Sequence, residues 1–357
     1  MKGKSKPTAS DVAALAGVSQ SAVSMILNQK KNLSFSAETV QRVLDAAETL
    51  GYTIRPRSAR PIQKFEKDTI LIVCPVLSNP YYSTLVQAIE QQAIAQGFDT
   101  LICNTYRDIM KEQEYLSIFV NNGICGIIFT FIPQSCDHVE TLSARIPVVV
   151  IGDRNTTLNV DTVEIDSIHS GRLVAEHLLA LGHRHVAFIS TTLSEHTAVR
   201  LKRLEGFQAT FLEGCPTGSV EVKSRSITPS MDLSDPAVEQ KVGRELTAEC
   251  FENRQITAFV AVNDMVAYGV LHAIHEKGFA VPKDYSVCGF DNIFPSEIPS
   301  VSLTTVEHYI TEKGHNAVNI LSARLRTETG HSTSITRVEY RPRLILRGST
   351  GKAHVHR

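Results

Sequence analysis

The spacing of apolar positions changes near Thr69 and divides the chain into two regions. Before it, apolar residues recur every three or four positions, which is the period of an amphipathic helix. After it, short apolar runs such as residues 70–76 alternate with amphipathic segments, which indicates repeated βαβ units. The pattern predicts a small all-α domain followed by an α/β body with parallel sheets.

Two short helices separated by a glycine are readable near the N-terminus. Thr8 and Asp11 have the spacing of a reciprocal N-terminal cap, and Gly17 interrupts the helical pattern. Ser19 can then cap a second helix that runs to about Leu27. A helix, a tight glycine turn and a second helix make a helix-turn-helix.

These helices and a third one can close a small core. The positions expected to share it are Val12, Ala13, Ala16, Val18, Val23 and Ile26. Ser36 can cap a third helix over residues 37–50, which Gly51 would end. Its inward positions are expected to be Val40, Val43, Leu44 and Ala47.

The outer face of the second helix carries small, uncharged hydrogen-bonding groups. Such groups suit the base edges exposed in the major groove of double-stranded DNA. An ordinary helical hairpin is the competing interpretation. The residues expected to contact DNA in this region are Thr8, Ser19, Gln20, Ser21, Ala22, Ser24, Met25 and Asn28.

Several motifs of this region carry a resemblance to a known family. They are Asp11-Val12-Ala13, Ala16-Gly17-Val18-Ser19, Val23-Ser24 and the segment from Ser36 to Gly51-Tyr52. Together they resemble the headpiece of the LacI/GalR family of transcription regulators, and the likeness continues to about Ser349. The resemblance implies a DNA-binding regulator, most simply a repressor, whose operator affinity a small polar metabolite controls.

Two departures from the family pattern bear on operator preference. Residues 28–36 form a segment about two residues longer than its family counterparts, and Met25 stands where many members have arginine.

Charge is divided between the two regions. Residues 1–60 hold nine Lys or Arg against four Asp or Glu, a net charge of +5, whereas the remainder holds 27 against 33, a net charge of −6. A basic domain on an acidic body suits a protein that presents one end to phosphates, although the excess alone could be a solvated surface.

Cysteine spacing and hydropathy limit the classes of protein to which the chain can belong. The seven cysteines include no Cys-x-x-Cys pair and are expected to be reduced packing residues. No apolar run reaches the ~18 residues of a membrane span, and none follows the basic N-terminus. We therefore expect a soluble, cytoplasmic protein without membrane association.

Residues 53–68 are expected to link the two regions, because they hold five Arg or Lys and two prolines but few large apolar groups. The resemblance implies a hinge helix here, with Arg60 in an Ala-Arg step and Ile62 as a wedge in the minor groove. Pro61 disfavours that helix unless it lies in the first turn. A passive tether is the alternative.

The resulting division is a headpiece over residues 1–60, the linker, and an effector-binding and dimerisation domain over residues 69–349, before a tail at 350–357. The resemblance implies two doubly wound, periplasmic-binding-protein-like subdomains that the chain crosses between three times. The expected boundaries are 69–165 with 295–326 for the first subdomain, and 166–291 with 335–349 for the second. The tail shows no leucine heptad of the kind that makes tetramers in one family member, so the resemblance implies a homodimer on a pseudo-palindromic operator.

Polar residues follow several predicted strands, and parallel sheets bind ligands beyond the carboxyl ends of their strands. Acids, amides, a guanidinium and tyrosines suit a polyhydroxylated ligand, so a sugar or sugar derivative is expected. The resemblance assigns the effector cleft to Asn79, Tyr81, Tyr82, Asp153, Arg203, Asn263, Asp264 and Asp291.

Each Asp or Asn of this set could instead cap a helix, and Arg203 could form a salt bridge to Asp291 that holds the subdomains together. A periplasmic sugar-binding protein is disfavoured by the headpiece and the missing signal peptide. An α/β enzyme is disfavoured because no nucleophile elbow, phosphate loop or metal-spaced histidines occur. We expect no cofactor other than the small-molecule effector.

Overall fold

The computed structural model describes residues 7–27, 35–52, 68–154, 158–326 and 334–354. The chain divides into two compact units, Met1–Gln63 and Lys64–Arg357. Three residues predicted to contact DNA lie outside the described residues: Asn28, Arg60 and Ile62. The linker before Asp68 also lies outside them.

The first unit contains α1 (Ala9–Ala16), α2 (Gln20–Leu27) and α3 (Ala37–Leu50). The predicted caps are present. The Asp11 carboxylate accepts a hydrogen bond of 2.7 Å from the Thr8 amide, and the Thr8 hydroxyl accepts one of 3.4 Å from the Asp11 amide. Gly17 ends α1 in the left-handed conformation with φ at 68°, which glycine adopts without strain.

The core of this unit contains Val12, Ala13, Ala16, Val23, Val43, Ala46 and Ala47. Val18, Ile26 and Val40 are half-buried. The prediction for Leu44 is wrong, because this side chain is 44% exposed and Ala46 is buried in its place. The buried stripe of α3 runs through positions 43, 46 and 47, and Leu44 lies about 100° around the helix from Val43.

Among the described residues, no single helix is long and apolar enough to cross a membrane. Helices α1 and α2 would reach the required length only as a pair that bends by 102°.

The second unit alternates strands with helices. Its strands are β1 (Thr69–Cys74), β2 (Asp99–Asn104), β3 (Gly126–Phe129), β4 (Val148–Asp153), β5 (Asp161–Ile165), β6 (His185–Ser190), β7 (Ser219–Ser224), β8 (Ala258–Ala261), β9 (Ser286–Asp291), β10 (Thr304–Glu307), β11 (Arg337–Tyr340) and β12 (Arg343–Ile345). Its helices are α4 (Pro80–Ala95), α5 (Ile109–Asn121), α6 (Cys136–Ser143), α7 (Ser167–Ala180), α8 (Ala198–Gly214), α9 (Pro229–Ser234), α10 (Val238–Cys250), α11 (Asp264–Glu276) and α12 (Ile310–Leu325).

The strands form two six-stranded sheets, one for each subdomain. The first has the order β11-β5-β4-β3-β1-β2, and all its pairings are parallel. The second has the order β12-β10-β9-β8-β6-β7, and only the β10–β12 pairing is antiparallel. Both sheets are doubly wound, as predicted, and apolar clusters cover their faces.

The chain passes between the sheets three times: after β5, after β10 and after β11. Two predicted boundaries are corrected. Residues 295–307 remain with the second subdomain, because β10 pairs with β9. Residues 337–340 return to the first subdomain, because β11 pairs with β5, where Arg337 forms a 3.2 Å ion pair with Glu164.

The seven cysteines are unpaired, as predicted.

Helices α7 and α8 cross at close range, and this crossing positions a residue of the site. A Cβ on Gly206 of α8 would lie 2.0 Å from the carbonyl oxygen of Ile168, and one on Gly171 of α7 would lie 2.2 Å from that of Arg203. Only glycine allows this approach, which fixes the position of α8 and of Arg203 on it.

Candidate functional site

A cavity of about 150 Å³ lies where the carboxyl ends of both sheets meet. A cavity of ~150 Å³ can hold a molecule the size of a six-membered ring. Asp153 at the end of β4 and Thr130 after β3 line it from the first subdomain, and Asp291 at the end of β9 lines it from the second. The cavity therefore lies at the sheet edge where the strand-end rule predicts a ligand.

Seven of the eight predicted effector residues line this cavity: Asn79, Tyr81, Tyr82, Asp153, Arg203, Asn263 and Asp291. Asp264 does not. Its carboxylate is fully buried and accepts hydrogen bonds from the Thr305 hydroxyl at 2.6 Å, the Ser296 hydroxyl at 2.7 Å and the Ile293 amide at 3.1 Å. Asp264 therefore ties α11 to the segment after β9, and the prediction that it contacts the effector is corrected.

Arg203 is held within the second subdomain. Its guanidinium donates to the Val262 carbonyl at 2.6 Å and to the Asp291 carboxylate at 3.2 Å, and it lies 5.0 Å above the Phe290 ring. The alternative in which this salt bridge joins the two subdomains is wrong, because α8 and β9 belong to the same one. The buried Nε of Arg203 has no hydrogen-bond partner among the described residues.

Asp291 combines two features of a binding residue. Burial raises the pKa of its carboxyl to about 6, although Arg203 opposes that rise. Its φ is 117°, a conformation that costs energy for any residue other than glycine. The surrounding structure thus holds this carboxylate in a strained position at the cavity wall.

Glu239 of α10, which is not among the predicted site residues, joins residues from both subdomains. Its carboxylate accepts hydrogen bonds from Asn79 at 2.7 Å, Asn263 at 3.1 Å and Arg200 at 2.9 Å. Asn79 also caps α4, and Asn263 caps α11. The capping role and the cavity position therefore coexist in both asparagines.

Two ion pairs also connect the subdomains beside the cavity. Arg107, after β2, contacts Asp232 of α9 at 2.6 Å. Lys202 of α8 contacts Asp153 at 2.5 Å and donates to the Arg154 carbonyl at 2.7 Å. The two subdomains are thus bridged by polar groups in this structure.

Lys313 of α12 lines the cavity and is 1% exposed. Its ammonium donates to the Tyr81 hydroxyl at 2.9 Å. Burial lowers the pKa of Lys313 to about 7, and burial also takes the pKa of the neighbouring lining residue His308 well below its ordinary value. Neither residue is among the predicted effector contacts.

The candidate DNA-contacting face of α2 is open in the first unit. Ser19, Gln20, Ser21 and Ser24 are exposed, and Ala22 and Met25 are half-buried. The Ser19 hydroxyl accepts a 3.1 Å hydrogen bond from the Ala22 amide, as predicted for a cap, and it is 2.8 Å from the Ser21 hydroxyl. Thr8 is exposed, but its hydroxyl is engaged in capping α1.

Comparison with known proteins agrees with this architecture. The family model described as "Bacterial regulatory proteins, lacI family" matches residues 8–54, and the model described as "Periplasmic binding protein-like domain" matches residues 175–350. The HTH-type transcriptional regulator DegA of Bacillus subtilis is 32% identical over 351 residues, which covers 97% of this chain and 98% of DegA. The chain belongs to the LacI family.

Other members of the family are similar over nearly their whole length. An HTH-type transcriptional repressor PurR of Haemophilus influenzae is 29% identical over 346 residues, which covers 96% of this chain and 98% of PurR. A crystal structure of a LacI family transcriptional regulator from Enterococcus faecium, with bound ribose, shares 26% identity and a TM-score of 0.68 over 80% of this chain and all of that one. This LacI-family chain is therefore a DNA-binding transcription regulator and not an enzyme.

Proposed function

We propose that this regulator is a repressor and that a small polyhydroxylated metabolite, a sugar or sugar derivative, binds in the cavity and controls its operator affinity. The cavity itself is the main support, because both subdomains contribute polar side chains to it. Carboxylates, amides and guanidinium groups bind hydroxyls, and tyrosine rings cover the apolar face of a sugar. Two of the relatives above are a repressor by name and a protein with bound ribose.

The mechanism follows from the position of the cavity. A ligand that contacts both subdomains favours one angle between them, and that angle sets the spacing of the two headpieces in a homodimer on a pseudo-palindromic operator. Such a ligand must bind the two conformations with different affinity, since equal affinity would shift nothing. The regulator acts on DNA, and we place it in the cytoplasm.

A thermal-shift screen of carbohydrates, sugar acids and nucleobases tests the ligand class. A ligand at 100 times its dissociation constant should stabilise the folded protein by about 2.7 kcal/mol. Compounds that stabilise the protein are then added to a complex with DNA obtained by binding-site selection. A stabilising compound that leaves DNA affinity unchanged would contradict control by the cavity.

The variants Arg203→Ala and Asp291→Ala locate the site. Each is expected to weaken effector binding by about 2–5 kcal/mol, as the loss of a buried charged hydrogen bond does, and to leave operator binding intact. Isothermal titration measures the first effect, and fluorescence anisotropy with labelled operator measures the second. Unchanged effector affinity in both folded variants would remove these residues from the site.

Two further variants serve as controls. Asp291→Gly removes the carboxylate and also relieves the φ of 117°, so equal losses in the Ala and Gly variants assign the effect to the carboxylate. Glu205→Ala changes an exposed residue of α8 and is expected to leave effector affinity as it is.

A further inference from the structure

The cationic side chains of the cavity differ in their partners. Each of its three arginines is already paired with a carboxylate. Arg107 lies 2.6 Å from Asp232, Arg200 lies 2.9 Å from Glu239, and Arg203 lies 3.2 Å from Asp291. These three guanidinium charges are therefore balanced without a ligand.

Lys313 has no such partner. Among the described residues, no carboxylate oxygen lies within 4.0 Å of its ammonium, and its hydrogen bond goes to the neutral Tyr81 hydroxyl. The ammonium also lies 5.3 Å from the centre of the Tyr81 ring. A buried cation without a counter-ion is unfavourable, because it has lost its hydration and gained little in return.

The carboxylates that influence Lys313 through space are bonded elsewhere. The oxygens of Asp153 accept from the Ser167 amide at 2.9 Å and from Lys202 at 2.5 Å. Those of Glu307 accept from the Tyr309 amide at 2.8 Å and from the Asn292 side chain at 2.7 Å. Asp291 is bonded to Arg203.

A second buried hydrogen-bond donor in the cavity also lacks an acceptor. The Nε of Arg203, which also lines the cavity, is buried without a hydrogen-bond partner among the described residues. The cavity thus contains one unpaired ammonium and one unpaired guanidinium N–H, both removed from water. An anionic oxygen is the group that satisfies such donors best.

We propose that the effector is a sugar acid, and that its carboxylate binds the ammonium of Lys313 while its hydroxyls bind the paired polar groups of the cavity. This inference rests on the proposed function and narrows it from a polar metabolite to an anionic one. We favour a carboxylate over a phosphate because the cavity is about 150 Å³ and offers a single unpaired ammonium.

Matched ligands test the charge. The full chain is titrated calorimetrically with D-glucuronate, D-galacturonate and D-gluconate, with the neutral parents D-glucose and D-galactose, and with D-glucose 6-phosphate. At least one acid is expected to bind about 30-fold or more tightly than its neutral parent, which corresponds to one buried charged contact. Binding of the phosphate ester in place of the acids would overturn the proposal that the effector carries a carboxylate.

The variant Lys313→Met tests the position, because it keeps the length of the side chain and removes the charge. It is expected to lose the preference for the acid, whereas Lys241→Met, which removes an exposed lysine outside the cavity, should keep it. Lys313→Gln is the second variant, since its amide can still donate to Tyr81. Acid affinity that survives in folded Lys313→Met or Lys313→Gln would overturn the role of Lys313.

The two proposals fail in different ways. If a neutral sugar binds the wild type and its acid does not, the anionic class is wrong and a polar effector in the cavity stands. If no compound of any series binds, the proposed function is contradicted together with this inference.

Discussion

At the scale of single residues, Asp264 and Asp291 differ in their position relative to the cavity: Asp291 lines it and Asp264 does not. Both acids lie at or after the end of a strand, so nothing in their sequence position separates them. Asp264 turns towards Gly289, where a Cβ would lie 2.3 Å from its carboxylate, and it is bonded within the protein. Gly289 leaves the space that this carboxylate occupies beside it.

The protonation of Lys313 makes a prediction about stability. Its pKa is lowered by burial to about 7, so the unfolded chain binds one more proton than the folded chain between about pH 7 and 10.5. Through this group, the free energy of unfolding rises with pH across that window. Lys313→Met lacks this dependence and is expected to be more stable than the wild type near pH 7, with the advantage shrinking towards pH 10.

Urea unfolding at pH 7 and pH 10, without ligand, measures this difference. The other charged groups that influence Lys313 are Asp291, Arg203, Glu307 and Asp153, and they are present in both proteins. Lys241→Met controls for the loss of a lysine in general. Parallel pH profiles of the wild type and Lys313→Met would show that the buried ammonium is not destabilising.

Met25 on α2 makes a prediction about DNA sequence. A thioether offers dispersion contacts and suits a thymine methyl, whereas arginine can donate two hydrogen bonds to guanine, worth about 1–3 kcal/mol of discrimination. Gln20 supplies an amide that can pair with adenine. We expect half-sites rich in A·T pairs beneath this helix, and Met25→Arg should shift the preference towards guanine.

Binding-site selection with the wild type and with Met25→Arg measures the shift. Identical motifs from both proteins would mean that Met25 does not face the bases. Lys30→Ala and Lys31→Ala, at positions outside the described residues, are the comparison for charge. They should weaken all sequences alike and reduce the salt dependence of binding.

Two of the site residues that the sequence does not indicate have the same physical reason. Glu239 and Lys313 lie within helices, where a charged residue usually indicates a solvated face, and only the tertiary fold turns them inward. Arg107 follows β2 closely, so the strand-end rule could have found it. The predicted residues that line the cavity lie at strand ends or in the segment that follows a strand, except Arg203, which the family motif supplied.

At the scale of elements, apolar runs indicate the central strands well, and β6 and β9 each coincide with such a run. Elements without a clear apolar pattern include α6, β7, α9 and α10. In β7 every residue is at least partly exposed, so no apolar run marks the strand. In α10, charged residues interrupt the apolar stripe that packs on the second sheet.

The crossing of α7 and α8 makes a prediction at this scale. Gly206→Ala would place a Cβ 2.0 Å from a backbone carbonyl, which cannot move as a side chain can. We expect a loss of about 1–3 kcal/mol or more in stability, because the two helices must separate. The shift of α8 would also move Arg203 and weaken effector binding.

Thermal unfolding and ligand titration of Gly206→Ala measure both effects. Glu205→Ala, at the exposed neighbouring position of the same helix, is the matched control. A variant with wild-type melting temperature would show that the two helices are not held at this distance.

At the scale of the whole molecule, the two units lead to a prediction about which part of the chain binds DNA and which part binds the effector. Limited proteolysis is expected to cut within residues 53–68, since this segment has the composition of a linker. The released N-terminal fragment should carry DNA binding, and the fragment from Thr69 onward should bind the effector and dimerise. Size-exclusion chromatography with light scattering and calorimetry check the second fragment, and a monomer or a fragment without effector affinity would contradict the assignment.

The three passages of the chain between the sheets have a consequence for synthesis. The first sheet begins at Thr69 but lacks the strand at one edge until Arg337–Tyr340 has been made, and the second sheet receives Arg343–Ile345 later still. A nascent chain that stops before Arg337 leaves β5 as an unpaired edge, which is a template for aggregation. The regulator therefore completes both of its sheets only when almost the entire chain has left the ribosome.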